Sequence, residues 1–257
     1  LERRVEMFDD GAHEDGAPND GLYGGVYLVS PGDNAEAGVI GYLEDEAGNL
    51  SWKEAFSKVE LDTSPPGITS WSISLVLDGK PYPIDLAPKK ALGRGDRLEV
   101  RVETEPGAEV ELEIEGFTSL KLRDDGVGGD EAAGDGRYFG AYTAREGDQV
   151  ENAALKIKAI DAAGNSEEVF LPFAISIDAV PPQIVEVTHN GDRPLKKGDL
   201  LIVILRGEPG NRASFNIGGR RDERGELIRY PMADDGTGMD EKAGDGIYTG
   251  VYEVRAE

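Results

Sequence analysis

Residues 124–142 read DDGVGGDEAAGDGRYFGAY, and two similar stretches lie at 9–27 (DDGAHEDGAPNDGLYGGVY) and 234–252 (DDGTGMDEKAGDGIYTGVY). The three copies align without a gap. Each places four aspartates in a glycine-rich segment that leads into a Tyr-x-Gly-x-Tyr pattern. A segment repeated at this length indicates that the chain is built from repeats of one structural unit.

The sequence around these acidic loops repeats as well. Asp-x-Ala-Gly-Asn occurs at 45–49 and 161–165, and each copy is followed by Asp-x-x-Pro-Pro. Upstream of the loop, GRGDRLEVRVETEPG at 93–107 matches KKGDLLIVILRGEPG at 196–210. These matches predict the C-terminal part of one unit at 1–62, a complete unit at 63–178 and the N-terminal part of another at 179–257.

The segments between turn signals have the pattern of β-strands, in which apolar and polar residues alternate. Only residues 51–60 suggest a short helical turn. About seven short strands in a unit of this length predict an immunoglobulin-like sandwich. We therefore expect an all-β chain of tandem immunoglobulin-like β-sandwich domains, one complete and two partial. The predicted strands are SISLVL (72–77), DRLEVRVET (96–104), EVELEIEG (109–116), ALKIKAI (154–160) and LLIVIL (200–205).

These motifs resemble a known class of protein. The Asp-x-Ala-Gly-Asn hairpin followed by Asp-x-x-Pro-Pro resembles the tandem immunoglobulin-like modules of bacterial and archaeal surface proteins. The DDG…AGDG-x-Tyr element is similar to one found in large secreted multidomain proteins of those organisms. The resemblance implies extracellular display and a spacing or adhesive role, as in a fibre, sheath, S-layer or adhesin stalk. It supplies no catalytic residue.

Composition limits the partners. The formal charge is −24, from 27 basic and 51 acidic side chains, so we expect neither nucleic acid nor an anionic membrane surface to bind. No apolar run has the length of a membrane span, and we expect no membrane insertion in this segment. The chain has no cysteine, which excludes disulfides and thiolate chemistry. Because it begins with Leu1, we expect it to be a mature or excised part of something longer.

The acidic loops are the candidate metal sites. Neighbouring carboxylates repel one another, and a hard cation offsets that repulsion; calcium prefers carboxylate and backbone oxygens. The competing interpretation is a metal-free turn, since aspartate side chains readily accept hydrogen bonds from nearby backbone amides. The spacing is not that of an EF-hand. The predicted calcium ligands are Asp10, Asp15, Asp20, Asp125, Asp130, Asp135, Asp235, Asp240 and Asp245.

Other residues give little support for catalysis, and we expect no enzyme activity. The two histidines, His13 and His189, fall at unrelated positions of the repeat, and acids that recur in every unit are not typical of an active site. We expect the tyrosines to pack in the core or at a sheet edge, with a ring covering the glycine between them. Trp52 and Trp71 are expected to pack near the unit junction. A non-catalytic carbohydrate-binding or spacer region of a secreted hydrolase is the alternative function.

The partial units lead to a prediction about assembly. Each is expected to expose unpaired strand edges, which isolated sheets tolerate poorly. Either the polypeptide continues, or partial units of different molecules complete one another by end-to-end strand exchange. The expected partners are therefore other copies of the chain or flanking domains of a longer one.

Overall fold

The computed structural model describes residues 3–89 and 91–255, which contain strands and turns but no α-helix. The chain divides into two compact units, Leu1–Ala179 and Val180–Glu257. The all-β prediction is confirmed. None of the residues that the structure describes forms a helix with the length and apolarity needed to cross a membrane.

The N-terminal repeat (residues 1–62) contains one hairpin, and each of its two arms consists of two short strands. Strand β1 pairs antiparallel with β4, and β2 pairs antiparallel with β3. The short helical turn suggested for residues 51–60 is wrong: this segment is strand, bend and strand, because residues 50–54 pair along their whole length with residues 40–44. The strands are β1 (Ala35–Ala37), β2 (Ile40–Glu44), β3 (Leu50–Glu54) and β4 (Val59–Leu61).

The central repeat (residues 63–178) forms two sheets around one apolar core. Its described residues form nine strands rather than the seven expected; two of them are short strands in the segment before the Gly-Asp motif. The strands are β5 (Ser70–Leu77), β6 (Lys80–Pro83), β7 (Ala91–Leu92), β8 (Arg97–Glu103), β9 (Glu109–Ile114), β10 (Thr118–Leu122), β11 (Arg137–Thr143), β12 (Gln149–Ile160) and β13 (Ser166–Asp178).

Alternation along these strands decides which side chains enter the core. One sheet has the order β10-β9-β12-β13-β7 and the other β11-β8-β5-β6; among the described strands, only β7 and β13 pair in parallel. In β8, Leu98, Val100 and Val102 are buried while the residues between them face outward. All four strand predictions in this repeat are confirmed. The two apolar faces meet as in a sandwich and bury the core from both sides.

The C-terminal repeat (residues 179–257) has the same strand order on a smaller scale. A three-stranded sheet, β14-β15-β18, lies beside the two-stranded pair β16-β17. The predicted strand at 200–205 is confirmed. Val203, Met232 and Tyr248 form a small buried core. The strands are β14 (Ile184–His189), β15 (Leu200–Gly207), β16 (Ala213–Phe215), β17 (Tyr230–Met232) and β18 (Ile247–Glu253).

Candidate functional site

The acidic loop of the central repeat connects β10 to β11, and its first aspartate closes it. The Asp124 carboxylate accepts hydrogen bonds from the amides of Gly134 (2.6 Å), Asp135 (3.2 Å) and Gly136 (2.9 Å). Residues ten to twelve positions apart are thereby held together at the base of the loop. Charge-assisted hydrogen bonds of this kind are stronger than neutral ones, so Asp124 fixes where the chain returns to the sheet.

The other three aspartates of this loop each accept a hydrogen bond from a nearby amide. Asp130, with 9% of its surface exposed, accepts one from Gly126 at 2.6 Å. Asp125 accepts from Val127 at 3.1 Å, and Asp135 from Arg137 at 3.0 Å. Both of the latter span two residues, as in Asx turns. Every aspartate of the motif thus stabilises the turn itself.

The loop of the C-terminal repeat, between β17 and β18, repeats this arrangement. Asp234 accepts hydrogen bonds from the amides of residues 244, 245 and 246 at 2.7–3.1 Å. Asp240 is buried and accepts from the Gly236 amide. Asp235 accepts from both the amide and the hydroxyl of Thr237, and the hydroxyl bond lowers the pKa of Asp235. Asp245 accepts from the Ile247 amide at 3.0 Å.

In the loop of the N-terminal repeat the aspartates again accept hydrogen bonds from backbone amides, but several of the donors differ. Asp9 accepts from the amides of Asp20 and Gly21. Asp20 accepts from Ala17 and Leu22, and Asp10 accepts from Ala12 and contacts His13 at 3.0 Å. Asp15 is 2% exposed; burial raises its pKa, but hydrogen bonds from backbone amides, including that of Gly11, outweigh this and lower it.

The structure brings carboxylates together in two of the three loops. In the central loop the oxygens of Asp124, Asp130 and Asp135 lie within 4.8 Å of one another, and in the C-terminal loop so do those of Asp234, Asp240 and Asp245. Among the described residues, Asp10, Asp15 and Asp20 form no such group. Asp125 and Asp235, which the sequence suggested as ligands, belong to neither group; the preceding aspartates take that position, because Asp125 and Asp235 point to their own turn amides.

Glycines allow the backbone to approach itself at the end of the loop. Gly136 and Gly246 have φ values of +82° and +80°. A Cβ atom on either would collide with a backbone oxygen, that of Thr104 or Gly207 respectively. Both constraints favour glycine. Asn19 replaces Gly134 and Gly244 in the N-terminal copy and keeps their left-handed conformation (φ 58°), which asparagine tolerates.

The first tyrosine of the motif packs in the core of two repeats. Tyr138 and Tyr248 are buried, and their hydroxyls donate to the backbone oxygens of Glu105 (3.1 Å) and Glu208 (2.7 Å). Their N-terminal counterpart, Tyr23, is exposed. The prediction that a tyrosine ring covers the intervening glycine is wrong, because that space is filled by side chains of the other sheet: leucines 120 and 122 of β10 lie over Gly140, and Phe215 of β16 and Met232 of β17 lie over Gly250.

The second tyrosine anchors the next turn, which sequence reasoning missed. The Tyr142 hydroxyl donates to Asp148, whose carboxylate also accepts from the Arg145 amide at 2.7 Å. Tyr27 and Asp33 repeat the interaction in the N-terminal repeat. The hydrogen bond from Tyr142 lowers the pKa of Asp148, and desolvation together with this bond raises the pKa of Tyr142. A Tyr-x5-Asp spacing shared by both repeats was the available signal.

The remaining candidate residues take local roles. His13 stacks on Phe8 with ring centroids 4.6 Å apart, and His189 accepts a hydrogen bond from the Gly191 amide. Trp71 packs edge-on against Phe173, as expected. The packing prediction for Trp52 is wrong: it lies on the open hairpin with 67% of its surface exposed, because β3 contributes no buried residue.

We compared the chain with protein-family models, curated proteins and solved structures, and no match was found.

Proposed function

We propose that this chain is a structural repeat region of an extracellular surface or filament protein, such as a fibre, sheath, S-layer or adhesin stalk, and that its modules are immunoglobulin-like. The observation that carries this proposal is the recurrence of one loop whose first aspartate accepts three matched amide hydrogen bonds in the central and C-terminal repeats, two of which recur in the N-terminal repeat. Repetition of a single unit is typical of proteins that extend or space.

The chemistry of the loops favours a structural role over a catalytic one. Each aspartate of the motif is used by backbone amides, so the feature that recurs most strongly builds turns. The buried core of the central repeat, closed by a five-stranded and a four-stranded sheet, supports the immunoglobulin-like interpretation. We therefore propose that the chain is not an enzyme.

Calcium binding stays a prediction. The two carboxylate groups offer closely spaced oxygens, as a calcium site requires. The same carboxylates already accept amide hydrogen bonds, which stabilise the loop without an ion. In the proposed function calcium acts as an additional stabiliser of each module.

Immunogold labelling of the source cells with an antibody against this chain tests the proposal. We expect label outside the cell envelope, spaced along a filament or layer. Label confined to the cell interior contradicts the extracellular role. An antibody against an abundant cytosolic protein of the same cells serves as the control for permeability.

One observation favours the alternative, a carbohydrate-binding region of a secreted hydrolase. Tyr42 and Trp52 are direct cross-strand neighbours on β2 and β3, and both are exposed, at 61% and 67%. Tyr and Trp combine a large apolar ring with a polar group, a combination that suits an amphipathic ligand such as a sugar ring. Retention on insoluble polysaccharide that is lost in Trp52→Ala but kept in Phe56→Ala, another exposed aromatic, selects this alternative.

A further inference from the structure

The central repeat shows how the fold covers both edges of strand β9. On one side β9 pairs with β10, and on the other it pairs with β12, where Leu112 lies opposite Ile157 and Val110 opposite Ala159. Strands β12 and β13 then close the core. Their buried contributions include Leu155, Ile157, Ala159, Ile175 and Ile177.

In the C-terminal repeat the strand equivalent to β9 is β16, and one edge of β16 is uncovered. Strand β16 pairs with β17 in the register that β9 has with β10: Ala213 lies opposite Met232, as Val110 lies opposite Leu122. Within residues 180–255 the structure describes no strand that corresponds to β12 or β13, and β16 has β17 as its one partner.

Burial changes accordingly at matched positions. Leu98 and Leu112 of the central repeat have no exposed surface, whereas their counterparts, Leu201 and Phe215, are half-buried. The C-terminal repeat therefore presents a partly exposed apolar face next to an open strand edge. An open edge is a template for a further strand.

The N-terminal hairpin, β1 to β4, has the same strand pairing as the β12–β13 ribbon, for which residues 180–255 show no equivalent. Ala35 lies opposite Leu61 and Ala37 opposite Val59, just as Val150 lies opposite Ile177 and Ala153 opposite Ile175. Farther along, Tyr42 opposes Trp52 as Lys158 opposes Glu168. The hairpin thus reproduces the β12–β13 ribbon in register.

Its side chains also match those that close the central core. Val39, Leu43 and Val59 correspond to Leu155, Ala159 and Ile175, which are buried. In the N-terminal hairpin the three are 53%, 55% and 40% exposed. Burial of apolar surface is favourable, so a partner that covers these residues stabilises both the hairpin and the open edge.

We propose that the hairpin at residues 35–61 of one molecule docks on the open edge of β16 in a second copy of this chain and completes its C-terminal repeat. The donated strand β2 lies antiparallel to β16, with Leu43 opposite Ala213. This inference rests on the proposed function, since it supplies the contact between successive molecules of a filament.

The contact joins two different surfaces, so it propagates. A donor hairpin in the first compact unit and an acceptor edge in the second form a head-to-tail interface that leaves one donor and one acceptor available for further copies. Only the hairpin is donated, because β18 already occupies the place of β11 in the acceptor. The donor's acidic loop stays outside the completed repeat.

Disulfide trapping tests this register directly, because the chain has no cysteine of its own. Leu43→Cys in one preparation and Ala213→Cys in another are mixed and oxidised. Directly opposed residues of antiparallel strands lie within disulfide reach. We expect a cross-linked heterodimer as the main product. Tyr42→Cys mixed with Ala213→Cys is the matched control, since Tyr42 is as exposed as Leu43 but faces the other side of the ribbon.

Each outcome decides the proposal. Equal cross-linking in the two mixtures, or none in either, overturns it. Cross-linking only within a chain that carries both Leu43→Cys and Ala213→Cys shows that the hairpin fills its own acceptor and overturns the second copy as partner. Cross-linking of the purified chain is independent of where the cell places it, so a failed surface labelling and a failed docking are distinguishable.

Discussion

The central and C-terminal repeats share their turns but differ in how much they bury. Asp124 and Asp234 accept hydrogen bonds from the same three loop positions, and β8 and β15 have matching neighbours in register. Yet the buried core of the C-terminal repeat is far smaller. The loop is therefore determined by residues within it, while burial depends on strands distant in sequence.

Matched leucines give the largest expected effect. Leu98→Ala removes a fully buried side chain and should lower the free energy of unfolding by about 3 kcal/mol, because it leaves a cavity; Leu201→Ala, at the half-buried equivalent, should cost about 1 kcal/mol. Both tryptophans lie in the first compact unit, so tryptophan fluorescence during urea unfolding reports that unit and far-UV circular dichroism reports both. Equal losses for the two variants contradict the comparison.

Calcium distinguishes the loops if it binds. We expect about 10 mM calcium to raise the melting temperature. For a dissociation constant of about 10⁻⁴–10⁻³ M, each occupied site should increase the free energy of unfolding by about 1–3 kcal/mol. The central and C-terminal loops should respond, since only they group three carboxylates. Magnesium at equal ionic strength is the control: an identical shift indicates screening of the −24 charge, and no shift leaves the loops as metal-free turns.

The first aspartate of the loop should matter more than the second. Asp124→Ala removes the acceptor of three amide hydrogen bonds and should cost about 1–2 kcal/mol. Asp125→Ala removes one exposed turn hydrogen bond and an exposed ion pair with Arg123, and should cost about 0.5 kcal/mol. Urea unfolding in EDTA measures both without a contribution from calcium. Asp234→Ala and Asp235→Ala should show the same order, and a reversed order in either repeat contradicts the assigned roles.

The smallest of the expected effects is the loss of stability in acid at the turn after β11. The hydrogen bond from Tyr142 lowers the pKa of Asp148 in the folded protein. A lowered folded-state pKa contributes stability above the unfolded-state value, which is lost as the pH falls through the folded-state value. Tyr142→Phe should therefore reduce the decline in melting temperature below about pH 4. Tyr252→Phe, whose hydroxyl contacts Arg220 instead, should leave that decline unchanged.

Sequence patterns predicted β5, β8, β9, β12 and β15 because alternation records local burial, and they predicted the turns because Asp-Gly chemistry is local. They failed where the answer depends on distant groups. Asp124 and Asp125 are indistinguishable by type, and only the return of the chain at Gly134–Gly136 shows which carboxylate closes the loop. The parallel pairing of β7 with β13 and the exposure of Trp52 likewise depend on which strands are neighbours.

Gly136 and Gly246 bear on how much sequence variation each repeat tolerates. Because a side chain at either position meets both a left-handed backbone and a facing carbonyl, we expect nearly every substitution there to destabilise the loop, whatever the aspartates do. Gly21, the N-terminal counterpart, has open space around its Cβ position. In that copy a side chain at this glycine meets no carbonyl, and its left-handed φ alone limits the replacement, so equivalent positions of the repeats tolerate substitution unequally.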